Sequence, residues 1–185
     1  MADRGILFSA PMVRALLDGR KTQTRRLLKP QPPEGLDGGF LHVEGDARPR
    51  VTHGRVILKD KFPFATGDRL WVCEAFSFGT RPYPDMLYRA DGGNYDLKWS
   101  SPIHMPRWAS RLTLTVTDVR VQRLQEISQE DAEAEGVQCD MSPRSFVEHY
   151  HTLWDSLHDK PGERWEDNPW ICAISFSARK GNIDG

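Results

Sequence analysis

The densest basic segment of the chain is Gly19-Arg20-Lys21-Thr22-Gln23-Thr24-Arg25-Arg26. It sets a primary amine and a hydroxyl three residues apart, a spacing that suits a turn or strand end presenting both groups to one cleft. A threonine hydroxyl is a weak nucleophile until something takes its proton. Lys21 can do so only when neutral, and an ordinary lysine, with a pKa of about 10.4, is neutral in roughly one molecule in a thousand at pH 7. The cationic neighbours Arg20, Arg25 and Arg26 lower a lysine's pKa, and partial burial lowers it further. By the residues alone, a solvated basic loop with a turn hydroxyl is the simpler account of the segment. A ligand-facing pair is the sharper one.

Other residue types with chemical potential are scattered. Glu74 ends an apolar strand, where a carboxylate meets solvent, faces a cleft mouth, or pairs with Arg25 or Arg107. Trp108, flanked by Pro106, Arg107 and Ser110, is the aromatic best placed to lie exposed beside a ligand and stack on a base. Trp71, Trp154 and Trp170 sit at core phase. The three cysteines, Cys73, Cys139 and Cys172, are widely separated and form no C-x-x-C pair. They suit neither a zinc knuckle nor a disulfide framework, and Cys73 and Cys172 read as small buried hydrophobes. His149 and His151, two residues apart, point to different faces of a helix. The pattern calls for no metal site and no cofactor.

Composition sets the class. The 185 residues are 38% hydrophobic and 28% charged, enough apolar material for one domain. With 25 basic against 26 acidic side chains the net charge is -1, which argues against a general nucleic-acid coater and against a charged disordered tail. No apolar stretch approaches the roughly 20 residues of a membrane span. Gly5 to Val13 is apolar, but Asp3 before it and Arg14 after it do not suit a signal peptide. The expectation is a soluble, cytoplasmic protein without a membrane partner. The net value hides an asymmetry. Residues 1–30 carry seven basic and two acidic side chains, and residues 118–167 carry five basic and thirteen acidic. Two faces that attract one another explain this, as does a basic rim made for an anionic ligand.

The elements that must position these groups follow from local pattern. Ile6 to Ser9 reads as a short strand, and Pro11 with Met12, Ala15 and Leu16 as a helix closed by Gly19. Pro30 to Gly39 is loop, and Phe40 to Lys61 a ragged hairpin or ordered insertion. Gly67-Asp68 turns into a buried strand, Arg69 to Glu74. Leu87 to Ala90 is a further short strand. Arg111 to Val121 alternates cleanly, with Leu112, Leu114 and Val116 on one face and threonines on the other. Ser128 caps a short acidic helix ending at Gly136. Ser142-Pro143 would start another, whose stripe is Phe146, Tyr150, Leu153, Trp154 and Leu157. Trp170 to Phe176 closes the fold. The pattern predicts one α+β domain over residues 1–179, a small barrel of short strands flanked by short helices, with an insertion at about 30–61 and a frayed tail at 180–185.

Read as a set, these motifs resemble the ASCH superfamily, whose fold is a PUA-like β-barrel flanked by helices. Residues 19–25 are similar to its G-R-K-T-x-T-x-R signature, and Gly67-Asp68-Arg69-Leu70 to its G-D-x-L turn. Residues 128–136 resemble its later helix, and Trp170 to Phe176 its closing strand. The wording of residues 105–110, 70–74 and 167–170 is similar to a larger branch found in phages and prophages. The resemblance leaves only Pro30 to Lys61 and parts of Phe76 to Met105 uncovered. Small members of the superfamily remove acetyl from 4-acetylcytidine with a lysine, a threonine and a glutamate, and others are described as RNA-binding or RNA-cleaving. Carried over, the resemblance implies Lys21, Thr24 and Glu135 as catalytic residues. The residues' own charge and placement make Arg20, Arg25, Arg26, Glu74, Arg107 and Trp108 the candidate ligand-binding residues, and the resemblance implies RNA or a modified nucleoside as the partner. Two departures stand out: this chain is nearly twice the length of the small amidohydrolases, and Arg25 stands where their closest members carry an apolar residue. The other function class open at this point is a non-catalytic phage or prophage accessory module that retains the barrel. Oligomeric state is left open.

Overall fold

A computed structural model describes residues 2–29, 31–32, 40–41, 50–53, 56–57, 64–78, 86–93, 96–138 and 144–185. Its strands are β1 (Asp3–Leu7), β2 (Gln23–Leu27), β3 (Phe40–Leu41), β4 (Arg50–His53), β5 (Val56–Ile57), β6 (Arg69–Cys73), β7 (Phe76–Phe78), β8 (Met86–Tyr88), β9 (Leu112–Arg123) and β10 (Trp170–Lys180). The helices are α1 (Ala10–Leu17), α2 (Gln129–Ala134) and α3 (Phe146–Leu157).

The alternation of β9 makes it the longest strand, and it pairs along its length with β10. The central sheet runs β1-β6-β9-β10-β2, with β1 and β6 parallel and the other neighbours antiparallel. The end strands β1 and β2 are not paired with each other among the described residues. Strands β3, β4 and β5, within the expected insertion, form a separate antiparallel sheet, and β7 pairs with β8. The architecture is mixed α+β, as the pattern predicts. No helix among the described residues is long and apolar enough to cross a membrane.

One irregularity keeps β9 in phase with the core. Ser175 pairs with Asp118 while Phe176 pairs with Val116, so Thr117 is an extra residue, a β-bulge. The bulge moves the inward positions from Leu112, Leu114 and Val116 to Val119 and Val121, all buried. Without it the second half of the strand would turn its valines to the other face.

Helices cover both faces of the sheet. Cys172, Ile174 and Phe176 of β10 pack with Leu70, Leu114 and the α1 residues Val13 and Leu16. Ile171 and Ala173, one position out of phase, pack with Ala132 of α2 and with Tyr150 and Trp154 of α3. The Cys172 thiol is pushed up to about 12, chiefly by burial, as suits a core residue.

Three local expectations are corrected. The N-cap of α3 is Ser145, whose side chain accepts from the Glu148 amide while Glu148 accepts from the Ser145 amide. Ser142 and Pro143, expected to start that helix, lie outside the described residues, as does Cys139. Arg89 and Ala90, expected to complete a strand, instead begin a turn of 3-10 helix that runs from Arg89 to Asp91. The tail expected to fray is tied down. Ile183 is only 2% exposed, the Asn182 amide donates to three carbonyls of residues 107, 108 and 110, and Arg107 pairs with Asp184. An apolar side chain and a multivalent amide are enough to anchor a short terminus.

Candidate active site

The order of strands leaves β2 at an end of the sheet, and a cavity of about 600 Å³ lies along it. Thr24, Arg25 and Arg26 all line it. Consecutive strand residues point to opposite faces, so a cavity touched by all three wraps around the strand's free edge. Phe8 and Met12 wall it from the α1 side, and Tyr150 and Trp154 from the α3 side.

The residues between α1 and β2 are clasped to the end of α2. Gly19, at φ +74°, ends α1 and turns the chain. The Arg20 and Lys21 amides then donate to the Ala15 carbonyl, and the Thr22 amide to the Ala134 carbonyl. On the other side of this clasp, Ser128 caps α2 and Gly136, at φ +78°, stops it. A Cβ at Gly136 would sit 2.8 Å from the Lys21 Cβ and 2.9 Å from the Ala15 Cβ, so glycine is required there for space as well as conformation.

This clasp delivers Lys21 onto Glu135. The ammonium donates to Glu135 Oε2 at 2.7 Å and to the Glu135 carbonyl at 2.8 Å, and Lys21 and Glu135 are 2% and 3% exposed. Burial lowers the Lys21 pKa from its ordinary range; Glu135 works against that shift, and the nearby Arg26 and Arg25 work with it. Arg25 is the second cation on Glu135, at 3.3 Å to Oε1, and its other arm holds Asp131 at 2.8 Å. Gln23 and Arg120 also hold Asp131. Arg26 lies over the Phe8 ring at 5.1 Å and donates to the Leu7 carbonyl. Its Nε is buried without a hydrogen-bond partner, as is that of Arg25.

The structure thus gathers Lys21, Thr24, Glu135, Arg25 and Arg26 around one cavity. It sets Arg20 apart, in a neighbouring cavity, where Arg20 donates to the Gly136 carbonyl and pairs with Asp18. Glu74, Arg107 and Trp108 line neither. Glu74 is paired with Arg111, at 2.8 and 3.0 Å, and not with Arg25 or Arg107; its carboxyl is raised by burial against the pull of Arg111. Arg107 bridges Asp3 and Asp184. Trp108 is exposed, as expected, but its ring neighbour is Phe78 at 6.4 Å. Among the described residues no cluster of His, Cys, Asp and Glu could hold a metal ion.

Asp131 and Gln23 are the supporting residues that sequence reasoning missed. A signal for each was present: Asp131 is one helical turn before Glu135, and Gln23 shares a strand face with Arg25.

No protein-family model matches the chain, and no curated protein matches it. Two solved structures are similar to it. One is a protein from Enterococcus faecalis V583 described by the family model DUF984, with 10% identity, a TM-score of 0.49, and coverage of 99% of this chain and 83% of that one. The other is an ASCH domain from Lactobacillus crispatus JV V101, with 12% identity, a TM-score of 0.44, and coverage of 96% and 79%.

Proposed function

We propose that this is a PUA-like domain whose basic cavity binds a modified nucleoside, free or within RNA, and that it hydrolyses the amide of a 4-acetylcytidine-type substrate. The observation that carries this reading is a desolvated lysine, held 2.7 Å from a buried carboxylate, on the wall of a cavity that a threonine also lines. About 600 Å³ lies in the range of small-molecule sites. Phe8, Tyr150 and Trp154 offer apolar walls against which a base can pack.

In the proposed reaction, neutral Lys21 takes the Thr24 hydroxyl proton as the oxygen attacks the acetyl carbon. Glu135 orients the amine and stabilises the ammonium that forms, as a carboxylate does behind a catalytic base. Arg26, which lines the cavity and has an unpaired Nε, takes the role of cationic donor to the tetrahedral oxyanion. Breakdown of that intermediate returns the proton to the exocyclic nitrogen, releasing the amine and leaving an acetyl ester on Thr24. Water then attacks the ester, acetate departs, and the hydroxyl is restored.

Lys21→Arg keeps the charge but cannot supply a neutral base, since guanidinium stays protonated in proteins. It should abolish turnover of 4-acetylcytidine while binding stays within about tenfold, roughly 1.4 kcal/mol. Thr24→Val should do the same, and the two losses should not add. In the wild type, kcat/KM should rise with pH through the Lys21 pKa. Substantial turnover in Lys21→Arg sinks the mechanism.

One observation favours the alternative, a non-catalytic phage or prophage interaction module: both Glu135 oxygens are already engaged, by Lys21 and Arg25. A wild-type protein that binds acylated nucleosides and never turns one over would leave that reading.

A further inference from the structure

A buried tyrosine usually finds a hydrogen-bond partner for its hydroxyl, because leaving the bond unmade costs free energy. Tyr150 of α3 departs from that rule. It is 3% exposed, and its ring is held by Trp154 at 6.1 Å, by Trp165 edge-on at 6.4 Å, and by the Arg25 guanidinium over its face at 5.8 Å. Its hydroxyl makes no hydrogen bond among the described residues, and it is not one of the polar atoms shut off from solvent. Tyr150 lines the 600 Å³ cavity, so the surface that its oxygen keeps is cavity surface.

Burial pushes this phenol well above its ordinary range; the Glu135 carboxylate adds to the shift, and Arg25 and Arg26 oppose it. The group therefore stays a neutral O–H, a donor and not a base. Its neighbours are engaged: Lys21 donates twice to Glu135, Arg25 holds Gln23, Asp131 and Glu135, and Arg26 donates to the Leu7 carbonyl. The positive charge of the two guanidiniums draws an oxygen of a ligand to this hydroxyl in preference to an N–H. In the reaction above, the acyl carbon sits among these same groups to meet Thr24. We propose that Tyr150 is a further catalytic residue, whose hydroxyl donates to the acyl carbonyl oxygen of the bound ligand and, with Arg26, forms the oxyanion site. This rests on the acylated-nucleoside reading.

The test is Tyr150→Phe, which removes one oxygen and keeps the ring. Because the hydroxyl has no partner within the described chain, the melting point should stay within about 2 °C of wild type. Binding is read by calorimetry in a Thr24→Val parent, which holds turnover off, with 4-acetylcytidine and cytidine as probes. The parent should bind 4-acetylcytidine about fivefold more tightly than cytidine. Adding Tyr150→Phe should bring that ratio to within about twofold of unity while cytidine affinity stays unchanged. In the protein with Thr24 intact, Tyr150→Phe should lower kcat on 4-acetylcytidine about a hundredfold, with KM changed by less than about threefold. A ratio that survives the substitution, a parent that binds both probes equally, or an equal loss for both probes overturns the inference. So does an unchanged kcat in a protein that turns over, or a melting point lower by more than about 5 °C, which would make the hydroxyl a part of the fold. A protein that binds neither probe loses the nucleoside reading and this inference with it. One whose discrimination depends on Tyr150 but which hydrolyses nothing keeps the hydrogen bond to the acyl oxygen and loses the deacylase and the catalytic role.

Discussion

Glu135→Gln preserves the shape of the side chain and removes the charge on which two buried cations converge. Arg25 keeps Asp131 at 2.8 Å, so the group left without a counter-ion is Lys21, 2% exposed, with neutral amide oxygens of residue 135 as its acceptors. Removing one partner of a buried pair costs about 3–5 kcal/mol. A lysine can limit that cost by giving up its proton. From an ordinary pKa of about 10.4 this requires roughly 1.36 kcal/mol per unit over about 3.4 units at pH 7, a ceiling near 4.6 kcal/mol. The expected loss is therefore about 3–4.5 kcal/mol, roughly a fifth or more of the 5–15 kcal/mol typical of a domain. The melting point should fall by roughly 6–18 °C. Because the folded Lys21 pKa lies below its unfolded value, the unfolded chain binds more protons between the two. This group's contribution therefore favours folding increasingly as pH rises through that window, toward about 10.4, and more strongly in the variant. Urea denaturation followed by tryptophan fluorescence, at pH 7 and again near pH 9.5, reads both effects. Adding Lys21→Met to the variant should restore most of the loss. A loss below about 1 kcal/mol, or a gap to wild type that widens with pH, would refute the reasoning.

Gly136→Ala should cost about 2–4 kcal/mol, from the left-handed backbone and from a methyl pressed against Lys21 and Ala15; the urea midpoint should drop at constant m. Ser145→Ala removes the capping box of α3 and should cost about 0.5–2 kcal/mol, read in the same titration, with nucleoside affinity unchanged. The Lys21→Arg and Thr24→Val kinetics described above test the chemistry itself.

Short-range pattern carried a good part of the fold. The alternation of Leu112 to Val121, the helical spacing of Met12, Ala15 and Leu16, and the capping residues Ser128, Gly19 and Gly136 all act within a few residues, so the chain displays them directly. The charge asymmetry was legible too, and the structure resolves part of it as attraction: Lys21 on Glu135, Arg25 on Asp131, Lys29 on Glu163. The tertiary structure decided which charges meet. Lys21 and Glu135 are 114 residues apart, and their 2.7 Å contact depends on how α2 docks against the turn after α1. The same dependence drew Glu74 to Arg111 and turned Trp108 toward Phe78. It also moved the bulge at Thr117 into register with the core and anchored the last residues through Asn182 and Ile183. Residue type and local period fix what a segment can form and which face it buries. Long-range partners are chosen by the packing of the whole chain, where many alternative pairings of like charge and like hydrophobicity compete and only the assembled core selects among them.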